Sequence, residues 1–222
     1  MRREEWNRKY AERGLLWSAE PNRFLVAEVS GLPPGRALDL ACGEGRNALW
    51  LAARGWDVTA VDFSEVAIAK ARERAAGEGL QVELVCDDLL AYEPETGAYD
   101  LVLVFYLQLQ AGELAAVLAK AAAALAPGGT FLLVGHDSSN LTDGWGGPSD
   151  PSVLYTPEDV VSSLGDLEIE KAERVLRDVE EAERPAIDAL VRARHRRPRR
   201  RPAGTARAPT RRRPSAGGSR DR

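Results

Sequence analysis

The sequence predicts an α/β protein: a doubly wound, mostly parallel sheet with helices on both faces and its last strand antiparallel. Three observations carry this. Short apolar runs alternate with helical patterns from residue 37 to the helix signal at Thr156. A glycine-rich turn joins the first run to the first of those helices. Two strand-like segments then close the folded part with no helix between them, so they are expected to pair antiparallel.

Taken in order, residues 37–42 (Ala-Leu-Asp-Leu-Ala-Cys) are a short apolar strand running into glycines. Residues 47–54 read as a helix, with Ala48, Leu49, Leu51 and Ala52 apolar and Gly55 closing it. Residues 57–61 are the second strand. Ser64 is a good N-cap for a helix carrying Val66, Ile68 and Ala71, which Gly77 and Gly79 end. Residues 82–86 are the third strand. Residues 101–105 are the fourth, apolar on both faces as a central parallel strand is. Leu114, Val117, Leu118, Ala121 and Leu125 recur at helical spacing, and Pro127-Gly128-Gly129 is expected to stop that helix before a fifth strand at 130–134. Thr156-Pro157-Glu158-Asp159 opens another helix, with a threonine cap, a proline in the first turn and acids at the positive end of the dipole. The closing strands fall at 169–179 and 186–191, the second preceded by Arg184-Pro185. The total is six or seven strands, not a wholly parallel dinucleotide fold.

Composition limits the class. The chain has 222 residues, 44% apolar and 29% charged, which is ordinary for a soluble globular domain. The longest clean apolar run, residues 101–107, is far too short to cross a bilayer. The first residues, Met-Arg-Arg-Glu-Glu-Trp, lack the apolar core of a secretory signal, so a cytoplasmic protein is expected. Two cysteines, Cys42 and Cys86, make neither a disulfide framework nor a metal cluster, and both read as small core residues; no metal is expected. The net charge of −4 hides an asymmetry. Residues 192–222 carry 13 basic groups and one acid, a net of +12, while residues 1–191 carry 17 basic and 33 acidic groups, a net of −16. The domain is expected to span 1–195. Residues 196–222 are expected to be a disordered Arg/Pro-rich tail, because nothing in them larger than alanine or proline is apolar. A nucleic-acid arm is one reading of that tail and a plain solvated extension the other; no aromatic is interleaved for base stacking.

The chemistry concentrates at the first turn. Gly43-x-Gly45-x-x-Ala48 fits the fingerprint of a loop that lets a ligand approach the backbone. Asp62 ends the second strand 19 residues after Gly43, where a carboxylate accepts hydrogen bonds from ribose hydroxyls. A nicotinamide dinucleotide and S-adenosylmethionine both use those two elements. Asp39 separates them: a carboxylate at the end of the first strand repels a pyrophosphate but suits a ligand with a sulfonium and an ammonium and no phosphate.

With these residues in place, the chain resembles the class I S-adenosylmethionine-dependent methyltransferases over roughly residues 5–195. Residues 38–45, with Asp39, Ala41, Gly43 and Gly45, look like the family's first motif, and Val61-Asp62 like its ribose-binding acid. The resemblance implies that Phe63 packs on the adenine face. It implies that Cys86-Asp87-Asp88-Leu89 contacts adenine, with Asp88 the better match for the exocyclic amine and Asp87 the second. Residues 99–102 leading to Phe105 look like the fourth motif, whose backbone meets the methionine amine. Leu125-x-Pro127-Gly128-Gly129 looks like the turn before the fifth strand. It also implies a Rossmann-like sheet of seven strands and S-adenosyl-L-methionine as cofactor.

The acceptor side is less legible. After the fourth strand the chain reads Phe105-Tyr106-Leu107-Gln108, without the Asn/Asp-Pro-Pro-Tyr/Phe signature of base- and glutamine-directed amino methyltransferases and without a Pro-Cys nucleophile. A small-molecule acceptor is expected, not nucleic acid, although the basic tail keeps the latter open; a non-catalytic cofactor-binding protein is the reading from another class. Residues 1–30, with Trp6, Tyr10, Trp17 and the run from Glu20 to Leu25, resemble the lid of tellurite-resistance and thiopurine methyltransferases, which closes over a small soft nucleophile. Equally, those aromatics anchor a helix on the sheet. His136, at the end of the fifth strand on the ligand-binding edge, is the candidate base. Tyr106, Gln108, Trp145 in the long loop 138–155, and Tyr155 are candidate substrate residues.

Overall fold

The computed structural model describes residues 3–180 and 182–196. The tail expected from residue 196 onward lies, beyond Arg196, outside the described residues. Two helices, α1 (Arg3–Ala11) and α2 (Arg23–Val29), precede the first strand. The chain then runs β1 (Arg36–Leu40), α3 (Arg46–Ala52), β2 (Asp57–Asp62), α4 (Glu65–Gly77), β3 (Glu83–Cys86), β4 (Tyr99–Phe105), α5 (Ala111–Ala124) and β5 (Leu125–His136). A short α6 (Asn140–Asp143) and a 3-10 turn (Pro151–Val153) occupy the long loop 138–155. α7 (Pro157–Ser162), β6 (Glu168–Arg177) and β7 (Ala186–Arg194) complete it.

The seven strands form one sheet in the order β3-β2-β1-β4-β5-β7-β6. β1 to β5 run parallel, and β7 inserts antiparallel between β5 and β6. The expected antiparallel last strand is therefore present, and order reverses between β1 and β4, where ligands bind in open sheets. Side chains alternate between two apolar layers. On one face Leu38, Val102, Val104, Leu133 and Val191 pack against α5 and α7 through Leu118 and Val160. On the other, Ala37, Leu101, Leu103, Leu132 and Leu190 pack against α2, α3 and α4 through Leu25, Leu51 and Ile68. The expected caps form: the Ser64 side chain accepts from the Ala67 N–H, and Thr156 and Asp159 make a reciprocal capping box.

Three expectations are corrected. Leu125 does not end a helix: α5 stops at Ala124, and β5 starts at Leu125, five residues before the expected Thr130. Pro127 bars a helical Ala126 and lacks an N–H, so Leu125 turns extended (φ −70°, ψ 128°) and pairs with Tyr99 across a bulge before regular pairing at Leu101–Thr130. Gly129 is required there, because a Cβ would sit 2.7 Å from the Tyr99 carbonyl oxygen. Second, Cys86 is exposed, not a core residue; Cys42 is buried, and both are free thiols. β3 is an edge strand, paired with β2 alone. Third, the ends of the closing strands shift to 168–177 and 186–194.

Candidate active site

A cavity of about 790 Å³ opens at the carboxyl ends of β1, β2 and β4, within the range of small-molecule sites. The glycine loop forms its floor. Gly43 and Gly45 both take left-handed backbone (φ 54° and 79°), and a Cβ on Gly43 would lie 2.9 Å from the Tyr10 hydroxyl, which closes over the loop. Gly43 faces the cavity; Gly45 caps α3 behind it. Among the described residues, the two non-glycines with left-handed backbone, Ala41 (φ 64°) and Tyr106 (φ 53°), both line this cavity. Strain of that kind persists where the surroundings hold a side chain in a required direction.

Asp62 lies at the cavity wall and is only 6% exposed. Its two oxygens accept 2.9 Å hydrogen bonds from the backbone N–H groups of Gly43 and Ser64. Burial pushes its carboxyl up from the usual range, while those N–H groups pull against the rise. A carboxylate has more acceptor sites than these N–H groups fill, which leaves it able to accept from a ligand. Asp39 is fully buried beneath the loop, off the cavity wall, and neither of its oxygens has a hydrogen-bond partner among the described residues. Burial, then the charge of Asp62, pushes its carboxyl up to about 7. The Arg46 charge and the Ala48 N–H pull against that rise; a buried acid of this kind suits a nearby cation and repels a pyrophosphate.

The adenine-side expectations divide. Phe63, Asp88 and Leu89 line the cavity, and so does Phe105, expected at the methionine end. Asp88 is held by a bond from the Leu90 N–H at 3.0 Å. Asp87 does not line the cavity; its carboxylate accepts from the Asp88 N–H at 2.8 Å and shapes the turn.

The amino-terminal segment covers the mouth. Trp6 stacks on Tyr10, and Trp6, Tyr10 and Trp17 all face the cavity. Glu44, whose side chain is nearly inaccessible, fastens this cover: it accepts from the Leu16 and Trp17 N–H groups and pairs with Lys70 at 3.1 Å. Lys70 also donates to the carbonyls of Tyr10 and Arg13. Asn22 caps α2, and its own N–H donates to the Asn47 side chain at 3.0 Å. Glu44 and Asn47 were missed in sequence because they occupy the variable positions of the glycine motif.

On the acceptor side, Tyr106, Gln108 and His136 line the cavity. Trp145 does not; it is 42% exposed on the loop after α6. Tyr155 is also off the cavity. It is buried on the opposite face of the sheet with α5 and α7, its hydroxyl lying where a Cβ of Gly135 would otherwise be. Parity explains this: Tyr155 bridges to Asp137, and successive residues of a strand point to opposite faces, so it follows Asp137 and not His136. Two charged residues absent from the sequence reading join the wall or stand behind it. Arg177 of β6 lines the cavity, and Asp188 of β7, fully buried, receives its Nε at 2.8 Å and the Tyr106 hydroxyl at 2.8 Å. Both come from the antiparallel strands, whose register places Asp188 directly opposite His136.

Comparison with known proteins agrees with this geometry. Residues 37–129 match a family model described as a methyltransferase domain. The chain is 38% identical over 108 residues to Hemagglutinin 1 of Eikenella corrodens, covering 48% of this chain and 36% of that protein. It is 28% identical over 167 residues to thiocyanate methyltransferase 1 of Arabidopsis thaliana, covering 72% of each. The crystal structure of TehB from Haemophilus influenzae superposes with a TM-score of 0.68 at 23% identity, over 79% of this chain and 62% of that one, a likeness of fold. The chain spans about a third to a half of the length of the first curated relatives it matches. Sheet order, glycine loop, ribose-side acid and matched segment concur: residues 37–129 are similar to a methyltransferase domain, and the fold is like that of TehB.

Proposed function

We propose that this chain transfers a methyl group from S-adenosylmethionine to a small-molecule acceptor carrying a sulfur, selenium, tellurium or oxygen nucleophile. The observation that carries this is continuity: one cavity joins Asp62 and Asp88 at its cofactor end to Tyr106, His136 and Arg177 at its far end. The residues present fit the cofactor. Asp62 takes the ribose hydroxyls, Asp88 the exocyclic amine, and Phe63 and Leu89 the faces of the adenine. Ala41, Gly43 and Phe105 border the methionine end, and Asp39 supplies its negative field from beneath.

The cofactor, when bound, supplies an already activated methyl on a sulfonium. The chain's part is therefore alignment and exclusion of water. The aromatic cover of Trp6, Tyr10 and Trp17, fastened through Glu44 and Lys70, does the second. A small acceptor suits a lid of that construction, as does the absence of the amino-methyltransferase signature after β4.

The test is a transfer assay with the full chain, methyl-labelled S-adenosylmethionine and a panel of thiols, phenols, selenite and tellurite. Label appearing in a small product supports the reading. Tight cofactor binding with label passing to RNA or DNA and to none of the panel would overturn it.

A further inference from the structure

His136 and Asp188 form a pair that the proposed methyl transfer does not by itself require. They are register partners on β5 and β7, on the same face of the sheet as α2 and the amino-terminal cover. Oδ2 of Asp188 is taken by two donors, the Tyr106 hydroxyl and Arg177 Nε, each at 2.8 Å. That leaves Oδ1, which lies 3.3 Å from His136 Nδ1; both atoms are buried and neither makes a hydrogen bond to any described residue, so each is the nearest group the other has to turn to. The Nδ1 edge of the ring is sealed: the atom is buried, and a Cβ on Gly147 would sit 3.1 Å from it. Since His136 lines the cavity, Nε2 is the nitrogen left to face it.

We propose that Asp188 is a positioning residue: its Oδ1 holds the His136 proton on Nδ1, leaving Nε2 as the base for a methyl acceptor that arrives with its proton, an alcohol, phenol or thiol. This rests on the methyl-transfer reading above and narrows its substrate class. The acceptor's lone pair forms the new bond to carbon as the carbon–sulfur bond breaks, the electron pair of that bond stays with sulfur, and the acceptor's proton passes to Nε2.

The other neighbours fit this role. Burial alone would raise the Asp188 carboxyl, but the His136 and Arg177 donors hold it below the usual carboxylate range, so it is an acceptor at neutral pH. Arg177 pairs with the carboxylate and so offsets its charge. Asp188 then orients the ring through a hydrogen bond without needing an imidazolium as its counter-ion. Tyr106, 5.0 Å from the imidazole between ring centres, blocks the ring from turning away, and its own left-handed backbone sets that position.

The test begins with the wild-type chain. It has two histidines, so a His195→Gln variant assigns the ring nitrogens in a long-range proton–nitrogen correlation spectrum. His136 is expected to carry its proton on Nδ1 near neutral pH; a proton on Nε2 overturns the proposal. In Asp188→Asn the tautomer is expected to move toward Nε2–H, and an unchanged tautomer also overturns it. For transfer, a thiol probe is compared with iodide, a soft nucleophile that carries no proton. The Asp188→Asn loss is expected to be at least tenfold greater with the thiol, and an equal loss with both would mark Asp188 as merely structural. If the variant does not fold or no probe turns over, the wild-type tautomer decides. Calorimetric binding of S-adenosylmethionine to the same sample separates failure of this inference from failure of the methyltransferase reading.

Discussion

Asp39→Asn is the perturbation whose size follows most directly from the structure. The Asp39 carboxyl is fully buried, has no hydrogen-bond partner among the described residues, and ionises near pH 7 in the fold. In the unfolded chain it ionises near pH 3.9. Below about pH 4 both states hold the proton and Asp39 costs nothing. Between about pH 4 and 7 the native state keeps a proton that the unfolded state has lost, so stability falls as pH rises. Above about pH 7 both are ionised and the cost is constant, at most about 4 kcal/mol for a gap of about three pH units. Asparagine has the same shape and no charge. Urea denaturation of both proteins between about pH 4.5 and 8 measures the difference, and effects shared by the rest of the chain cancel. The stability difference in favour of Asn is expected to grow across that interval by a few kcal/mol. Bound S-adenosylmethionine places a cation near this acid, so its binding near pH 6 is expected to release a proton in the wild type and not in the variant. Parallel stability curves for the two proteins would refute the argument that Asp39 is a buried acid whose ionisation costs the fold stability.

Asp62→Asn puts an amide where two backbone N–H groups and a ribose need acceptors; it is expected to weaken S-adenosylmethionine binding by about 1.5–3 kcal/mol, read by calorimetry. Glu44→Ala removes the acceptor shared by Leu16, Trp17 and Lys70, and is expected to raise amide exchange across residues 10–18 while that of β4 and β5 stays slow. Gly43→Ala forces a side chain into left-handed backbone against the Tyr10 hydroxyl, and is expected to cost about 1 kcal/mol or more in a urea melt and to weaken cofactor binding with it.

The parallel half of the fold was readable because its signals are local. A buried strand such as 101–105 is apolar throughout, a cap such as Ser64 lies next to its helix, and the glycine loop carries its own spacing. The cofactor residues followed, since Gly43, Asp62, Asp88 and Phe105 all sit where a parallel strand ends. What the sequence left obscure depends on long-range pairing. Asp188 and Arg177 lie on strands whose register with β5 has no local marker, so their meeting with His136 and Tyr106 could not be read from either segment alone. Tyr155 was misplaced for the same reason: it bridges to Asp137 at the end of β5, but on the face opposite the cavity. Pro127-Gly128-Gly129 was read as a stop, and it became strand because Tyr99 offered an edge to pair with.

The account rests on what the cavity holds. Calorimetric titration of the chain with S-adenosylmethionine, S-adenosylhomocysteine and NAD tests that directly. Micromolar binding of the first two, with none of the third, is the predicted result. Binding of NAD alone would contradict the roles given to Asp39 and Asp62 and, with them, the proposed methyl transfer.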